Sequence, residues 1–536
     1  MVQNPNRFKI NFDARLLFFG LIIGLFFINY YSKTMFFRPS GTHQWRQADC
    51  LSIAKNYYEE GMHFFEPKIH YAGVSNGKAV SECPLLNYSA AALWKVFGEK
   101  EFIYRLLEYF IFIIAMYVFF IGMLKKFASP LLAFFSVGLL LTSPLLVFYS
   151  LNFIADVPAL SIGIISFCLF YRFYENKQMK YFYSALFFGT LAVLLKASAL
   201  MGLGILFFFS LLDLFGLTQK FKTEKLFSKK VMPGIALFLS AFILVAWYKF
   251  ALQYNNNNNN NVFLLTVLPI WELDQVEIIK NLKLLFNVLF PVFLNKPTLF
   301  LFLVIVLFVI AKFKQLPVFL KYAFVFTAVF FLAYLLFFFQ VFSVHDYYLS
   351  NLMIFPVVAL FCFADLIVKS EWLSNSKAFA RSFLILFLLF NSMHAAAIYR
   401  LRMIEDDKLA SWFPFVSAED ENLAKYLFWD YGNAIKRIEN FGPVLRAHGI
   451  KREDKVISTP DQSFDISLYF MDQKGYTIAK HHFIEDTLVL EKGMKNKAQY
   501  LIMSDTTLKA QRTFQRMANR LEPFFIENKV QVFKIK

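Results

Sequence analysis

GTHQWRQADCLSIAKNYYEEG, residues 41–61, and SECPLLNYSAAALWKVFG, residues 81–98, decide the fold. They follow one apolar run, Leu16 to Tyr31, and precede another that opens in EKEFIYRL, residues 99–106. His43, Arg46, Asp49, Glu82 and Arg105 are groups that hydrocarbon does not tolerate. The segment from Gly41 to Arg105 therefore reads as a long loop on one side of a membrane, held over a cavity at its surface. Ala48 to Glu60 has helical spacing, with Ile53, Tyr57 and Phe64 offering an apolar side. Leu85 to Phe97 is a second amphipathic helix, stopped by Gly98. Both are too short to span and are expected to lie along the interface.

The remainder of the chain fits that reading. Of its 536 residues 58% are hydrophobic, and 71 are Phe. A water-soluble domain of this length has no use for so much apolar surface, whereas a polytopic membrane protein does. A span needs about 20 apolar residues. Eleven stretches qualify: 14–36, 102–124, 128–149, 154–173, 180–196, 198–215, 231–253, 296–312, 317–341, 347–368 and 380–398. The first, flanked by Arg7, Lys9 and Arg15, is expected to stay as a helix rather than be removed as a signal peptide, because no small-residue cleavage site follows.

Basic residues orient the spans. Lys125 and Lys126, the lysines from Lys220 to Lys230, Lys312 and Lys314, and Lys369, Lys377 and Arg381 fall in alternate loops, whereas the loops near 150–154 and 342–346 have no Lys or Arg. Positive loops stay in the cytoplasm. The net charge of +17 thus reads as topology, not as a nucleic-acid surface. With the N-terminus inside, eleven spans leave the tail outside.

The expected fold class is mainly α, a polytopic membrane protein with about 11 transmembrane helices plus a small extracytoplasmic α/β domain. The expected division is a core over 1–398, with outer loops at 37–101 and 254–295, and a C-terminal domain over 399–536. The second loop opens with seven Asn, 255–261, a low-complexity tract expected to be mobile. Asp274 to Leu289 reads as a further interfacial helix. In the tail, strands are expected at Val456–Ser458, Thr477–Ala479, Tyr500–Met503 and Lys529–Ile535. Helices are expected at Ser463–Asp472, Ile484–Lys495 and Thr506–Arg520. There is no Gly-rich phosphate loop.

The ionisable residues gather by sidedness. In the expected topology Asp49, Glu82, Asp156, Lys196, His345 and Asp346 all reach the outer face. Charges at or within a membrane are costly, so each is a candidate for function, against the plainer reading of a loop charge above the headgroups. A carboxylate there can take a proton from an acceptor hydroxyl or amine. Arg46, Arg105 and Lys196 can hold a phosphate leaving group. His43 reads as a loop hydrogen-bonder, Trp45 and Trp94 as interface anchors, and Asp461 as a helix cap. Cys168 and Cys362 fall inside spans as packing residues. Cys50 and Cys83 each follow a carboxylate. Two free thiols are expected there, and a disulfide is the alternative that would draw Asp49 and Glu82 together.

HQWRQADCLSIAKNYY, SECPLLNYSAAALWKVFG with FIYRL, IADVPAL, LLKASAL and HDYYLSNLMIFP give the chain a family likeness. Over about residues 1–400 it resembles the GT-C superfamily of polytopic glycosyltransferases, particularly the branch with protein O-mannosyltransferases and lipid A aminoarabinose transferases. The resemblance implies transfer of a sugar from a polyprenyl-phosphate donor at the outer face of the plasma (bacterial inner) membrane. The acceptor would be a glycan, lipid or protein. It implies Asp49 as general base and Glu82 near the acceptor or the donor phosphate. It also implies a substrate-binding role for Asp156, Lys196, Tyr347 and Tyr348; for Arg46, Arg105, His345 and Asp346 the same role is expected from their charge and sidedness alone. Two departures stand out. Cys50 replaces a second acid, and Cys83 replaces a lysine before the proline of the second motif. No full set of metal ligands is visible, so a divalent metal is not indicated. The rival readings are a polymerase or ligase moving whole lipid-linked glycans, and a lipid or glycan transporter. The transporter reading calls for an internal repeat and mid-membrane polar residues, neither of which the sequence shows.

Overall fold

The computed structural model describes residues 5–258, 262–263, 266–370, 377–408, 410, 413–486 and 488–536. The chain forms two compact units, neither continuous in sequence. One, the membrane unit, comprises Met1–Met35, Arg105–Tyr248 and Thr266–Ser417; the other, the acid-rich unit, comprises Phe36–Tyr104, Lys249–Leu265 and Ala418–Lys536.

Among the described residues seven helices are long and apolar enough to cross a membrane. They are Glu101–Phe127, Asp156–Asn176, Ala197–Leu214, Val231–Asn257, Val318–Phe337, Asp346–Lys369 and Ala378–Met403. An eighth results if Gln275–Phe293 and Lys296–Ala311, bent by 90°, count as one broken span. The chain is thus a multi-pass membrane protein of helical build. Several expected spans are shorter or interrupted, for local reasons. The 128–149 stretch is two helices, Pro130–Leu141 and Pro144–Tyr149. Pro144 lacks the N–H that would continue the first. Ser143 caps the second, accepting from Leu146 N, and donates to Phe293 O at 2.7 Å. The helix expected at 180–196 is Met179–Leu195, and Lys196 breaks it with extended backbone.

The membrane unit is tightly packed where its charged residues lie. Asp156–Asn176 is almost wholly buried and runs against Met179–Leu195. Gly189 permits that approach: a Cβ there would meet Leu203 Cδ1 at 2.6 Å and Ser166 Oγ at 2.9 Å. An eight-residue 3₁₀ segment, Asp346–Met353, leads into the helix Ile354–Lys369.

In the acid-rich unit the loop helices Gln44–Glu59 and Leu85–Phe97 pack on each other. The sheet has strands β1 Val456–Thr459, β2 Gly475–Thr477, β3 Tyr500–Met503, β4 Leu521–Glu527 and β5 Val530–Ile535, in the order β2-β1-β3-β5-β4. β1 is parallel to β2 and β3, and β5 is antiparallel to β3 and β4. Several expectations shift here: the helix expected over 484–495 is two short helices, Lys480–Glu485 and Val489–Lys495, and that over 463–472 shortens to Ile466–Met471. β2 lies two residues before its expected start. The helix expected over 506–520 is a 3₁₀ turn, Thr506–Ala510, followed by a short helix, Arg512–Met517. β4 was not foreseen: Pro523 argues against a strand, and it is tolerated because β4 is an exposed edge.

The loop and the tail fold as one body. Tyr71 bridges Gly475 in parallel, Ala72 N donates to Gly475 O at 2.7 Å and Gly475 N donates to His70 O at 3.2 Å. Residues 70–72 thus extend the sheet beyond β2. An ion cluster reinforces the join: Glu60 accepts from Lys68 and Lys474, while Asp472 faces Lys55, His70 and Arg452.

The Asn tract departs from its expected mobility where it is described. Residues 255–257 complete the Val231–Asn257 helix. Asn255 exchanges both hydrogen bonds with the Val80 backbone, at 3.0 and 2.7 Å. Residues 259–261 lie outside the described residues. Cys50 and Cys83 are buried free thiols, so the disulfide alternative falls.

Candidate active site

In the acid-rich unit the site forms on the helix Gln44–Glu59. His43 starts it with a left-handed backbone, and Arg46 and Asp49 follow three residues apart, on one side of the helix. Arg46 straddles two acids. Its Nη2 donates to Glu82 Oε2 at 2.5 Å and Ser81 Oγ at 3.0 Å, and its Nη1 lies 3.9 Å from Asp49 Oδ2. The guanidinium also sits 5.0 Å from the centre of the Phe263 ring. A planar, permanently charged group so placed neutralises a carboxylate without giving up a proton.

Asp49 is only 7% exposed. Burial pushes its carboxyl well above the usual range; Arg46 pulls the other way, and Asp465, Asp461 and Glu82 add to the rise. The acid is therefore a strong proton acceptor once ionised. Asp461 caps, as its position suggested. Its Oδ1 accepts from Ser463 N and Oγ, and its Oδ2 from Ser467 N, each at 2.8 Å. Ser52, one turn past Asp49, accepts from His70 N at 2.7 Å and contacts His70 Nδ1 at 2.6 Å. Burial drives the imidazole down to about 3, so it is neutral at physiological pH.

The membrane unit gathers a different set. Lys196 projects from the helix break, its Nζ 3.2 Å from Asp156 Oδ2. The ammonium lies 4.8 Å from the Tyr348 ring centre and 5.4 Å from that of Tyr347. His345 stacks on Tyr348 at 5.8 Å. Asp346 turns elsewhere: Tyr149 donates to its Oδ1, and Arg402 Nη1 lies 3.6 Å from its Oδ2. Arg105 donates to Leu151 O at 2.6 Å and stacks over Phe153 at 4.1 Å.

The expected residues thus converge within each unit: Arg46, Asp49 and Glu82 in one; Asp156, Lys196, His345, Tyr347 and Tyr348 in the other. Asp346 and Arg105 are engaged with separate neighbours. Sequence reasoning missed Asp465, Arg402, Tyr149 and Glu108. Glu108 carried a signal, a carboxylate one turn after Arg105 in an apolar helix; it is fully buried. Among the described residues no group of three or more His, Cys, Asp or Glu is arranged to hold a metal ion.

Residues 81–247 match the family model for dolichyl-phosphate-mannose-protein mannosyltransferases. No curated protein sequence matches the chain. Among solved structures, it is similar to apo ArnT from Cupriavidus metallidurans, at 12% identity and a TM-score of 0.54, with 98% of each chain covered. The same ArnT bound to undecaprenyl phosphate matches at 13% identity and a TM-score of 0.54, over 96% of this chain and 97% of that one. The archaeal oligosaccharyltransferase AglB from Archaeoglobus fulgidus, in complex with an inhibitory peptide and a dolichol-phosphate, matches at 11% identity and a TM-score of 0.51. That match covers 91% of this chain and 69% of AglB. At such identities the likeness is one of fold. The chain thus shares its fold with ArnT, and the mannosyltransferase family match lies within residues 81–247.

Proposed function

We propose that this protein is a membrane glycosyltransferase that moves a sugar from a polyprenyl-phosphate donor to an acceptor on the extracytoplasmic side of the plasma membrane. The observation that carries the reading is Asp49, a buried carboxylate beside Arg46 and Glu82. It sits in a chain whose fold matches ArnT over 98% of its length.

In this reading Asp49 takes the proton of the acceptor hydroxyl or amine. The freed lone pair attacks the anomeric carbon, the carbon–oxygen bond to phosphate breaks, and the lipid phosphate departs with the electron pair. Arg46 keeps Glu82 paired, so the acceptor meets one carboxylate ready to receive a proton. In the membrane unit Lys196, backed by Asp156 and flanked by Tyr347 and Tyr348, supplies the cation for the lipid phosphate, with Arg105 as a second cation. With Cys83 in place of the family's lysine, the phosphate falls to Arg46, Arg105 or Lys196.

The undecaprenyl phosphate of the ArnT structure and the dolichol-phosphate of the AglB structure support a lipid-phosphate donor. The AglB match also favours a second reading, transfer of a whole glycan, distinguished by the mass of the group moved. The test is mass spectrometry of lipid-linked sugars in a strain lacking the protein, complemented with wild type or Asp49→Asn. A polyprenyl-phosphate sugar should accumulate in the deletion and in the mutant, while one glycoconjugate loses that sugar. Unchanged profiles in all three strains would overturn the reading.

A further inference from the structure

A cavity of about 560 Å³ opens within the acid-rich unit, where the Gln44–Glu59 helix meets the tail. That size falls among small-molecule sites, roughly 300–1,000 Å³. Its wall carries charge of both signs in matched amounts. Lys55 Nζ donates to Glu99 Oε1 at 2.6 Å. Arg446 Nη2 donates to Asp472 O at 2.7 Å and to Gln473 Oε1 at 2.8 Å. Arg38 Nε donates at 3.1 Å to Oε1 of Glu101. Three cations thus face three acids, Glu99, Glu101 and Asp472. Tyr469, Phe470 and Pro443 supply the apolar part of the wall, and the Arg38 guanidinium lies 4.5 Å from the Phe470 ring centre. Gly442 lets the wall close: a Cβ there would meet Met471 O at 2.6 Å.

We infer that this cavity binds a neutral oligosaccharide. Matched cations and acids leave the wall no net charge with which to select an ion. They do leave hydrogen-bonding capacity. Lys55 has three N–H groups and donates one to Glu99. Asp472 Oδ2 lies 3.6 Å from the same nitrogen, too far for a hydrogen bond. Lys55 occupies one oxygen of Glu99, so the other is open to a ligand, as is the exposed Asn440 amide. Donors and acceptors therefore stand side by side, already neutralised in pairs. A sugar hydroxyl both donates and accepts, so it can bridge such a pair. A carboxylate or phosphate ligand would instead meet Glu99 and Asp472 as like charges. The C–H face of a sugar ring fits the apolar wall, and the volume suits a di- or trisaccharide. The cavity is not the Asp49 site: Lys55 follows Asp49 by six residues, about 9 Å along the helix and on another of its faces. On the proposed transferase reading, the cavity grips a glycan acceptor away from its reacting hydroxyl; the binding itself does not depend on Asp49 acting as base.

The experiment is saturation-transfer NMR on the full-length protein in lipid nanodiscs, which bring no sugar-headed detergent. The probes are neutral trisaccharides of mannose, glucose, galactose and N-acetylglucosamine, with trigalacturonate as the anionic control. At least one neutral trisaccharide should bind at millimolar concentration or below. Asn440→Trp, which fills the mouth of the cavity from an exposed position, should abolish that signal with the melting temperature unchanged. Glu99→Gln keeps the side chain's shape and reads the same site without filling it; loss of a charged acceptor should weaken binding about tenfold. Asp49→Asn should bind as the wild type does. Binding by none of the neutral probes, preference for trigalacturonate, or a neutral-sugar signal that survives both Asn440→Trp and Glu99→Gln overturns the inference. Retained turnover in Asp49→Asn would remove the base and leave this site standing.

Discussion

The two units handle buried charge in opposite ways. In the membrane unit opposite charges alternate. Lys196 meets Asp156, Arg402 meets Asp346, and aromatic rings wall the cations. In the acid-rich unit Asp49 and Glu82 share one guanidinium, Arg46, and the charges of Asp465 and Asp461 also act on Asp49. The first arrangement gives each cation an acid partner and aromatic walls, and suits an anionic ligand. The second raises proton affinity and suits a base.

The comparison breaks first at Asp49. Asp49→Asn should cut transfer by about 10²–10⁴-fold, the usual worth of a general base, with lipid-phosphate binding and melting temperature unchanged. A radiolabelled-donor assay on purified protein checks it, and near-normal turnover would dissolve the contrast between the units.

Next comes Lys196. Lys196→Met strands Asp156 as a buried charge and should cost about 3–5 kcal/mol of stability, measured by denaturant unfolding in detergent. Adding Asp156→Asn should restore the stability without restoring affinity for undecaprenyl phosphate. If the double mutant binds as wild type does, the pair is structural and the membrane unit has lost its assigned ligand.

A smaller effect concerns pH. His70 is held neutral in the folded protein, down from 6.5 to about 3, so only the unfolded chain takes up a proton as pH falls through 6.5. Stability should therefore decline by about 2 kcal/mol between pH 7 and 5. His70→Gln should flatten that slope, read as the shift in denaturation midpoint between the two pH values. Glu60 lies outside this window. Burial opposes its ionisation, but Lys474 and Lys68 bring it down to about 2, so its contribution is lost only below its ordinary 4.5. The smallest effect is at Tyr348. Removing its ring face with Tyr348→Leu should weaken lipid-phosphate binding by about 0.5–2 kcal/mol, measured by calorimetry.

Much of this was legible in the sequence, and the limits have physical causes. Leu85–Phe97 was readable to the residue because amphipathic spacing and a terminal glycine are local signals. Asp49, Glu82, Asp156 and Lys196 stood out because charge beside long apolar runs is expensive. Asp465 did not, since nothing in SFDISLYF records that its side chain meets a loop nearly 400 residues earlier. The join of residues 70–72 to Gly475 was invisible for the same reason: sheet extension leaves its mark in hydrogen bonds, not in composition. The break at Lys196 was marked by charge, whereas the Thr142–Ser143 break depends on Pro144, one residue within an unbroken apolar run.

That sheet extension bears on how the protein is made. Tyr71 and Asp465 are 394 positions apart. At a synthesis rate of about 5–20 residues per second, the loop waits roughly 20–80 s for the segment that completes it. Through that interval Tyr71 N lacks its Asp465 acceptor, and Gly475 has not yet been joined to the loop. A ribosome that stalls after the last span therefore leaves a loop whose partner strand is still missing. The loop of residues 70–72 finds its strand partner only with the final hundred residues, which makes the tail a check on complete translation.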